Sequence, residues 1–189
     1  MPSIIKSRKS SRRHDALESV MYSESQIALR VKALARQIER DHKEGVVIIG
    51  VLKGSFMFIA DLLRELKVSV QLDFMSLSSY VGDKSSEIVR LNFDIRSDIK
   101  GKRVLLIDDI VDTGFSLAFA RKHLLSKEPA HLDVGVLLDK PARRKVFVPV
   151  RYVGFTIPDA FVVGYGLDYN ERYRELPFIG VMDGTKIGP

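Results

Sequence analysis

Between Val104 and Ser116 the chain reads Val-Leu-Leu-Ile-Asp-Asp-Ile-Val-Asp-Thr-Gly-Phe-Ser, with Asp108, Asp109 and Asp112 clustered just before a Thr113-Gly114-Phe115-Ser116 turn. Val104 to Ile107 is an unbroken apolar run, the pattern of a strand covered on both faces of a parallel sheet. Carboxylates end that run, and the residues from Ser116 to Leu125 follow a helical pattern. A strand that leads through a short turn into a helix presents backbone N–H groups and the positive end of the helix dipole. Together these form a seat for phosphate. In open α/β sheets ligands bind at this carboxyl edge.

A Thr-Gly turn alone would be an ordinary connection. The aspartates change its meaning, because carboxylates beside a phosphate would repel it unless a cation or a hydroxylated sugar lies between them. The ligand implied carries a phosphate, a diol and a bound Mg²⁺. The stretch resembles the phosphoribosyl-pyrophosphate motif of the type I phosphoribosyltransferases.

The elements that must hold this stretch are legible in outline. Ser23-Glu24-Ser25-Gln26 has the pattern of a capping box, and Ile27, Val31, Leu34, Ala35 and Ile38 follow at helical spacing, so a helix is expected to about Lys43. Val46 to Val51 is a short apolar strand. From Gly54 a second helix is expected, with Phe56, Ile59, Ala60, Leu63 and Leu66 on one face. Val68, Val70, Leu72 and Phe74 alternate as in a half-buried strand. The segment 78–89 has no periodicity and is expected to be a long loop. Leu132 to Leu138, Arg151 to Phe155, Phe161 to Val163 and Phe178 to Met182 are further strand candidates. Strands alternating with helices imply a mainly parallel, twisted α/β sheet flanked by helices.

Composition restricts the function classes. The 189 residues suit one domain with a sizeable core, 46% of them are hydrophobic, and no apolar run approaches a membrane span or a signal-peptide core. There is no cysteine, which fits a reducing compartment and a cytoplasmic location, and His14, His42, His123 and His131 lack ligand spacing for zinc. The net charge is +6, of which Lys6, Arg8, Lys9, Arg12 and Arg13 contribute +5. The remainder is nearly neutral, so the basicity describes a Ser-rich terminus, expected to be flexible over residues 1–19. A nucleic-acid arm and a transit-like segment are the rival readings of that tail.

Two tempting motifs fail. In Gly50-Val-Leu-Lys-Gly-Ser55 the lysine precedes the second glycine, so the spacing is wrong for a Walker A loop. Gly164-Tyr165-Gly166 lacks the third glycine of a dinucleotide fingerprint.

Lys53 and Gly54 end the first apolar strand, on the edge that carries Asp108, and Lys140 ends another strand. Two edge lysines facing aspartates suit an anionic ligand. A second dense segment runs from Ile157 through Arg174, with Phe161, Val162, Asp168 and Arg174 among glycines and tyrosines. With Leu52-Lys53-Gly54, Ser79-Tyr80, Asp108 to Ser116 and Lys140, these motifs in this order resemble the hypoxanthine-guanine phosphoribosyltransferases over about residues 20–182.

The resemblance implies a type I phosphoribosyltransferase fold over residues 20–189, with a small C-terminal hood largely from 146–189. It implies transfer of ribose 5-phosphate from phosphoribosyl pyrophosphate to N9 of hypoxanthine or guanine, with Mg²⁺ required. The turn from Asp112 to Ser116, including Thr113, Gly114 and Phe115, would hold the 5′-phosphate. Asp108 and Asp109 would hold the ribose hydroxyls directly or through Mg²⁺. Asp112 would be the general base near purine N7. Lys140 would donate to O6, Phe161 would stack on the ring, and the Val162 backbone would read the exocyclic edge. Asp168, beside the purine, would help hold a Mg²⁺ that also binds pyrophosphate, and Lys53, Gly54 and Arg174 would hold the pyrophosphate. Ser79 and Tyr80 would belong to a closing lid. The family assembles as dimers or tetramers, so a homodimer or homotetramer is expected.

The implied roles agree with the chemistry. Breaking the bond at ribose C1 leaves positive charge on the sugar and negative charge on pyrophosphate, which cations and amide donors stabilise. The sugar cation would react with water, hence the need for closure. Two positions depart from the family: Asp108 stands where Glu is more frequent, and Phe115 puts a large apolar group in the phosphate turn. An enzyme preferring xanthine, or using all three 6-oxopurines, is the nearest alternative. A sensor that binds nucleic acid through its basic tail is the non-enzymatic rival. The base-reading set of Lys140, Phe161 and Asp168 argues against a sensor, which needs no purine clamp.

Overall fold

Three apolar runs become the centre of the main sheet. Val46–Leu52 (β2), Arg103–Val111 (β5) and His131–Asp139 (β6) lie side by side, buried along most of their length. The computed structural model describes residues 16–81 and 87–186. Val70–Val81 (β3), Glu87–Phe93 (β4) and Tyr152–Thr156 (β7) complete a six-stranded sheet in the order β4-β3-β2-β5-β6-β7. All neighbours are parallel except β3 and β4. The chain leaves β2 toward β3 and later returns on the other side to β5. The strand order therefore switches between β2 and β5, where a ligand crevice is expected.

Alternation along β2 sends successive side chains to opposite cores. Ile48 packs with Glu24–Asp41 (α1) and Phe56–Glu65 (α2), whereas Val47 and Ile49 pack with Phe115–Leu125 (α3). The capping box at Ser23 forms: its hydroxyl accepts from Gln26 N at 3.3 Å, and the Gln26 side chain accepts from Ser23 N at 2.9 Å. No helix among the described residues is long and apolar enough to cross a membrane.

A second, three-stranded antiparallel sheet has the order β1-β9-β8, from Leu17–Tyr22 (β1), Ile179–Met182 (β9) and Val162–Val163 (β8). Val162 and Ile179 join the α1–α2 core, and the buried Tyr165 hydroxyl donates to Asp61 on α2 at 2.7 Å. The small sheet is thereby fixed over the carboxyl edge of the large one.

Four expectations change. The segment 78–89 is not a long loop: β3 runs to Val81 and pairs with β4 from Glu87, so Tyr80 opposes Ile88. The hairpin stands at the sheet's edge, where Leu77 and Leu91 pack on the core and Ile88 faces outward. The helix expected from Gly54 begins at Phe56, which is 39% exposed; Ile59 is buried as expected and Leu63 and Leu66 pack against the core, but Phe58 and Leu62 complete the buried face. The boundary drawn after residue 19 falls inside β1, because β9 gives residues 17–22 a pairing partner. Within 146–189, β7 belongs to the main sheet rather than to a hood. The basic residues 6–13 and residues 82–86 lie outside the described residues.

Candidate active site

The ends of β2 and β5 bound a cleft of about 630 Å³. From β2 come Lys53 and Gly54, across a cis Leu52-Lys53 peptide bond. From β5 and its turn come Asp108, Asp109, Asp112, Thr113, Gly114 and Ser116; Asp168 and Arg174 close the cleft from the C-terminal segment, and Ser79 lines it from β3. The backbone of Tyr80 lies on the same strand.

The phosphate turn is built by contacts distant in sequence. Gly114 caps α3 with φ +92°, a conformation that favours glycine, and a Cβ there would also collide with the Val146 carbonyl. The carbonyls of the turn point away from the cleft. Arg144 donates to Asp112 O at 3.0 Å and Val111 O at 3.2 Å, while the amides of Lys145 and Val146 donate to Thr113 O at 2.9 and 3.0 Å. Arg144 itself is held by Asp139. With its carbonyls so engaged and no side-chain cap on α3, the turn can turn its amides toward an anion. Phe115 is half-buried as the first residue of α3 and leaves the backbone of this turn as the anion-facing group.

Asp108 is buried and Asp109 half-buried, adjacent on the strand end. Burial, and then the charge of Asp109, push the Asp108 carboxyl well above the usual carboxylate range. Burial likewise raises Asp109. Gly54 is required here, since a Cβ would fall inside the Asp109 carboxylate. At Gly166, with φ +100°, a Cβ would meet the Gly54 carbonyl. Gly166→Ala should therefore displace the Lys53-Gly54 loop, and if that loop holds pyrophosphate, as the resemblance implies, calorimetric titration with pyrophosphate should show weaker binding.

Arg174 donates to Gly166 O at 2.8 Å and pairs with Asp168 at 2.8 Å, yet its Nε is buried with no partner among the described residues. Glu171 lies between Lys53, at 3.1 Å, and Arg174, at 3.2 Å; hydrogen bonds from these two cations hold its carboxyl below the usual range. An anion entering the cleft meets the same two cations.

A smaller cavity of about 230 Å³ adjoins the cleft and shares Asp109, Asp112 and Asp168 with it. Lys140, Phe161, Val162 and Leu167 form the rest of its usable wall. Phe161 is 42% exposed and meets Tyr169 edge-on at 5.6 Å, leaving a ring face for a planar guest. Asp112 Oδ1 is buried with no aligned hydrogen bond, although Arg143 Nε stands 3.3 Å away. An acceptor left open in a polar cleft is a place for a proton.

Of the residues singled out from the sequence, all but Tyr80 and Phe115 line two adjoining cavities. Sequence reasoning missed Arg143 and Lys145 in the cleft, Arg144 beneath the turn and Gly166 against Gly54. A run of three cations right after Lys140 was the available signal for the first three.

Comparison with known proteins gives the same picture. The family described as the phosphoribosyl transferase domain matches residues 20–170. The hypoxanthine phosphoribosyltransferase of Escherichia coli is 49% identical over 165 residues, covering 85% of this chain and 93% of the relative. The hypoxanthine-guanine phosphoribosyltransferase of Mycobacterium tuberculosis is 42% identical over 175 residues, covering 88% and 87%. A crystal structure of a hypoxanthine phosphoribosyltransferase from Staphylococcus aureus superposes with TM-score 0.91 at 40% identity, covering 96% of this chain and all of that one.

Proposed function

The chain belongs to the phosphoribosyl transferase domain family, and from that premise we propose that it makes nucleotides in purine salvage. The 5-phosphoribosyl group of phosphoribosyl pyrophosphate passes to N9 of hypoxanthine or guanine, giving IMP or GMP and pyrophosphate. The observation that carries this reading is the meeting of the two cavities at Asp109, Asp112 and Asp168. One cavity suits a doubly phosphorylated sugar and the other a flat base, so ribose C1 would lie at their junction. Incubating the purified protein with phosphoribosyl pyrophosphate and each 6-oxopurine, and separating the products by chromatography, tests it. Absence of nucleotide with every base would overturn it.

In this mechanism the amides of Thr113 to Ser116 hold the 5′-phosphate, and Lys53, Gly54 and Arg174 hold pyrophosphate. The open Arg174 Nε supplies a donor for charge that grows as the leaving group departs. Phe161 stacks on the base, Lys140 donates to O6, and the Val162 backbone meets the exocyclic edge. Asp112 takes the proton at N7 as N9 attacks C1. Ser79 and Tyr80, on the β3–β4 hairpin, would help exclude water.

The reaction uses a divalent metal, and Mg²⁺ suits this site. No group of three metal-ligating side chains occurs among the described residues, but Asp108 and Asp109 present paired hard oxygens whose raised carboxyls a nearby cation would relieve. Mg²⁺ commonly takes one or two carboxylates and completes its shell with water and substrate oxygens. Asp168, beside Arg174, would serve the pyrophosphate end. Bound there, Mg²⁺ would neutralise charge on the pyrophosphate. Nucleotide formation should stop in EDTA and return with added Mg²⁺; full activity after rigorous chelation would remove the metal from the mechanism. A cytoplasmic location and a homodimeric or homotetrameric assembly complete the proposal.

A further inference from the structure

Lys140 is only 6% exposed, and its ammonium stands 3.7 Å from Asp112 Oδ2 and 3.7 Å from Asp159 Oδ1. Arg143 bridges the same two carboxylates from outside, with Nε 3.3 Å from Asp112 and Nη1 3.9 Å from Asp159. Two cations are thus balanced by two anions. At 3.7 Å neither carboxylate is within hydrogen-bond distance of the ammonium, so its donors remain available.

This balance has a consequence for base binding, given the function proposed above. When a purine enters, Asp112 must turn to N7 and gives up part of its attraction for Lys140. The carbonyl O6 offers a dipole but no charge. A nearly buried ammonium with only a neutral partner carries a desolvation cost that no opposite charge offsets, so it gains from a carboxylate that stays in place. Of the other carboxylates on this cavity, Asp168 is already paired with Arg174, and Asp109 lies at the ribose end with Asp108. Asp159 is the anion that has no duty toward the substrate.

We propose that Asp159 is a positioning residue for base recognition: it remains the counter-ion of Lys140 while Asp112 serves the purine, and so keeps the ammonium directed at O6. The chain supports this placement. Ile157 N donates to Asp139 O at 2.8 Å, tying the segment that carries Asp159 to the residue before Lys140. Phe161 follows two residues later, so one short segment brings both the stacking ring and the counter-ion to the base. Asp159 is half exposed, so solvent screens its effect, and its removal should weaken rather than abolish binding.

Isothermal titration of IMP into the wild type, Asp159→Asn, Lys140→Ala and the double variant tests this without turnover. Asp159→Asn should weaken IMP binding roughly two- to fivefold in the wild-type background and leave it unchanged in the Lys140→Ala background. AMP, which has no O6 acceptor, should bind the wild type and Asp159→Asn equally. Asp159→Glu should recover most of the loss. Equal weakening in both backgrounds, or equal weakening for IMP and AMP, would mean that Asp159 only maintains the loop, and would overturn the proposal. So would unaltered IMP binding in Asp159→Asn. A wild type that binds neither IMP nor GMP would instead overturn the functional reading on which this inference rests.

Discussion

Replacing Asp112 with Asn is expected to lower turnover by about 10²–10⁴, the usual worth of a positioned general base, with little change in affinity for phosphoribosyl pyrophosphate. The amide has nearly the carboxylate's shape, so the turn that follows it should persist. Arg144 grips the backbone carbonyl of Asp112 and not its side chain, so this anchor survives the substitution. The substitution removes the ability of Oδ1 to take a proton from N7, at an atom that is buried and open in the free protein. Neutral Asn would also leave Lys140 and Arg143 with Asp159 alone as their local carboxylate. Single-turnover measurements at saturating base separate the two effects. Loss of the proton acceptor slows the chemical step at every base concentration, whereas a disturbed Lys140 raises only the base concentration required. Unchanged turnover would take Asp112 out of the mechanism.

Which parts could be read from the sequence follows from the range of the contacts that make them. The strand, acids and turn at 104–116 are consecutive, and each part is demanded locally: burial on both faces needs the apolar run, and the positive φ of the turn suits Gly114. The capping box at Ser23 is equally local. The β3–β4 hairpin was not legible, because its core-facing side is only half-buried at Leu77, Val89 and Leu91, and the exposed Ile88 on the other side masks the alternation. β1 was hidden for another reason. Its residues pair with β9, more than 150 positions away, and nothing near Leu17 announces that partner. The Arg144 contacts beneath the 112–116 turn, the close passage of Gly166 by the Gly54 carbonyl that only a missing Cβ permits, and the bridge through Asp159 are likewise set by tertiary approach. Gly166 even stood in a motif set aside for lacking a dinucleotide fingerprint. Its positive φ and missing Cβ leave room for the Gly54 carbonyl instead.

Base selection should turn on Lys140. The ammonium can only donate hydrogen bonds, and in this cavity it is nearly buried, with Asp112 and Asp159 beyond hydrogen-bond distance. A 6-oxopurine supplies the missing acceptor. Adenine places an amino group there, donor against donor, and leaves a charged group unsatisfied at a cost of about 1–3 kcal/mol or more. A site built around one polar partner can reject the wrong base by several orders of magnitude. Phe161 stacks on any purine and therefore adds affinity without choice. Hypoxanthine and guanine should be good substrates and adenine a very poor one. Lys140→Ala should reduce kcat/KM for hypoxanthine and guanine far more than it changes any residual reaction of adenine, so the ratio between bases should fall as well as the rates. A lysine that merely ended a strand in solvent would give a variant with the wild-type ratio. Efficient adenine turnover by the unaltered protein would overturn both the role of Lys140 and the substrate class.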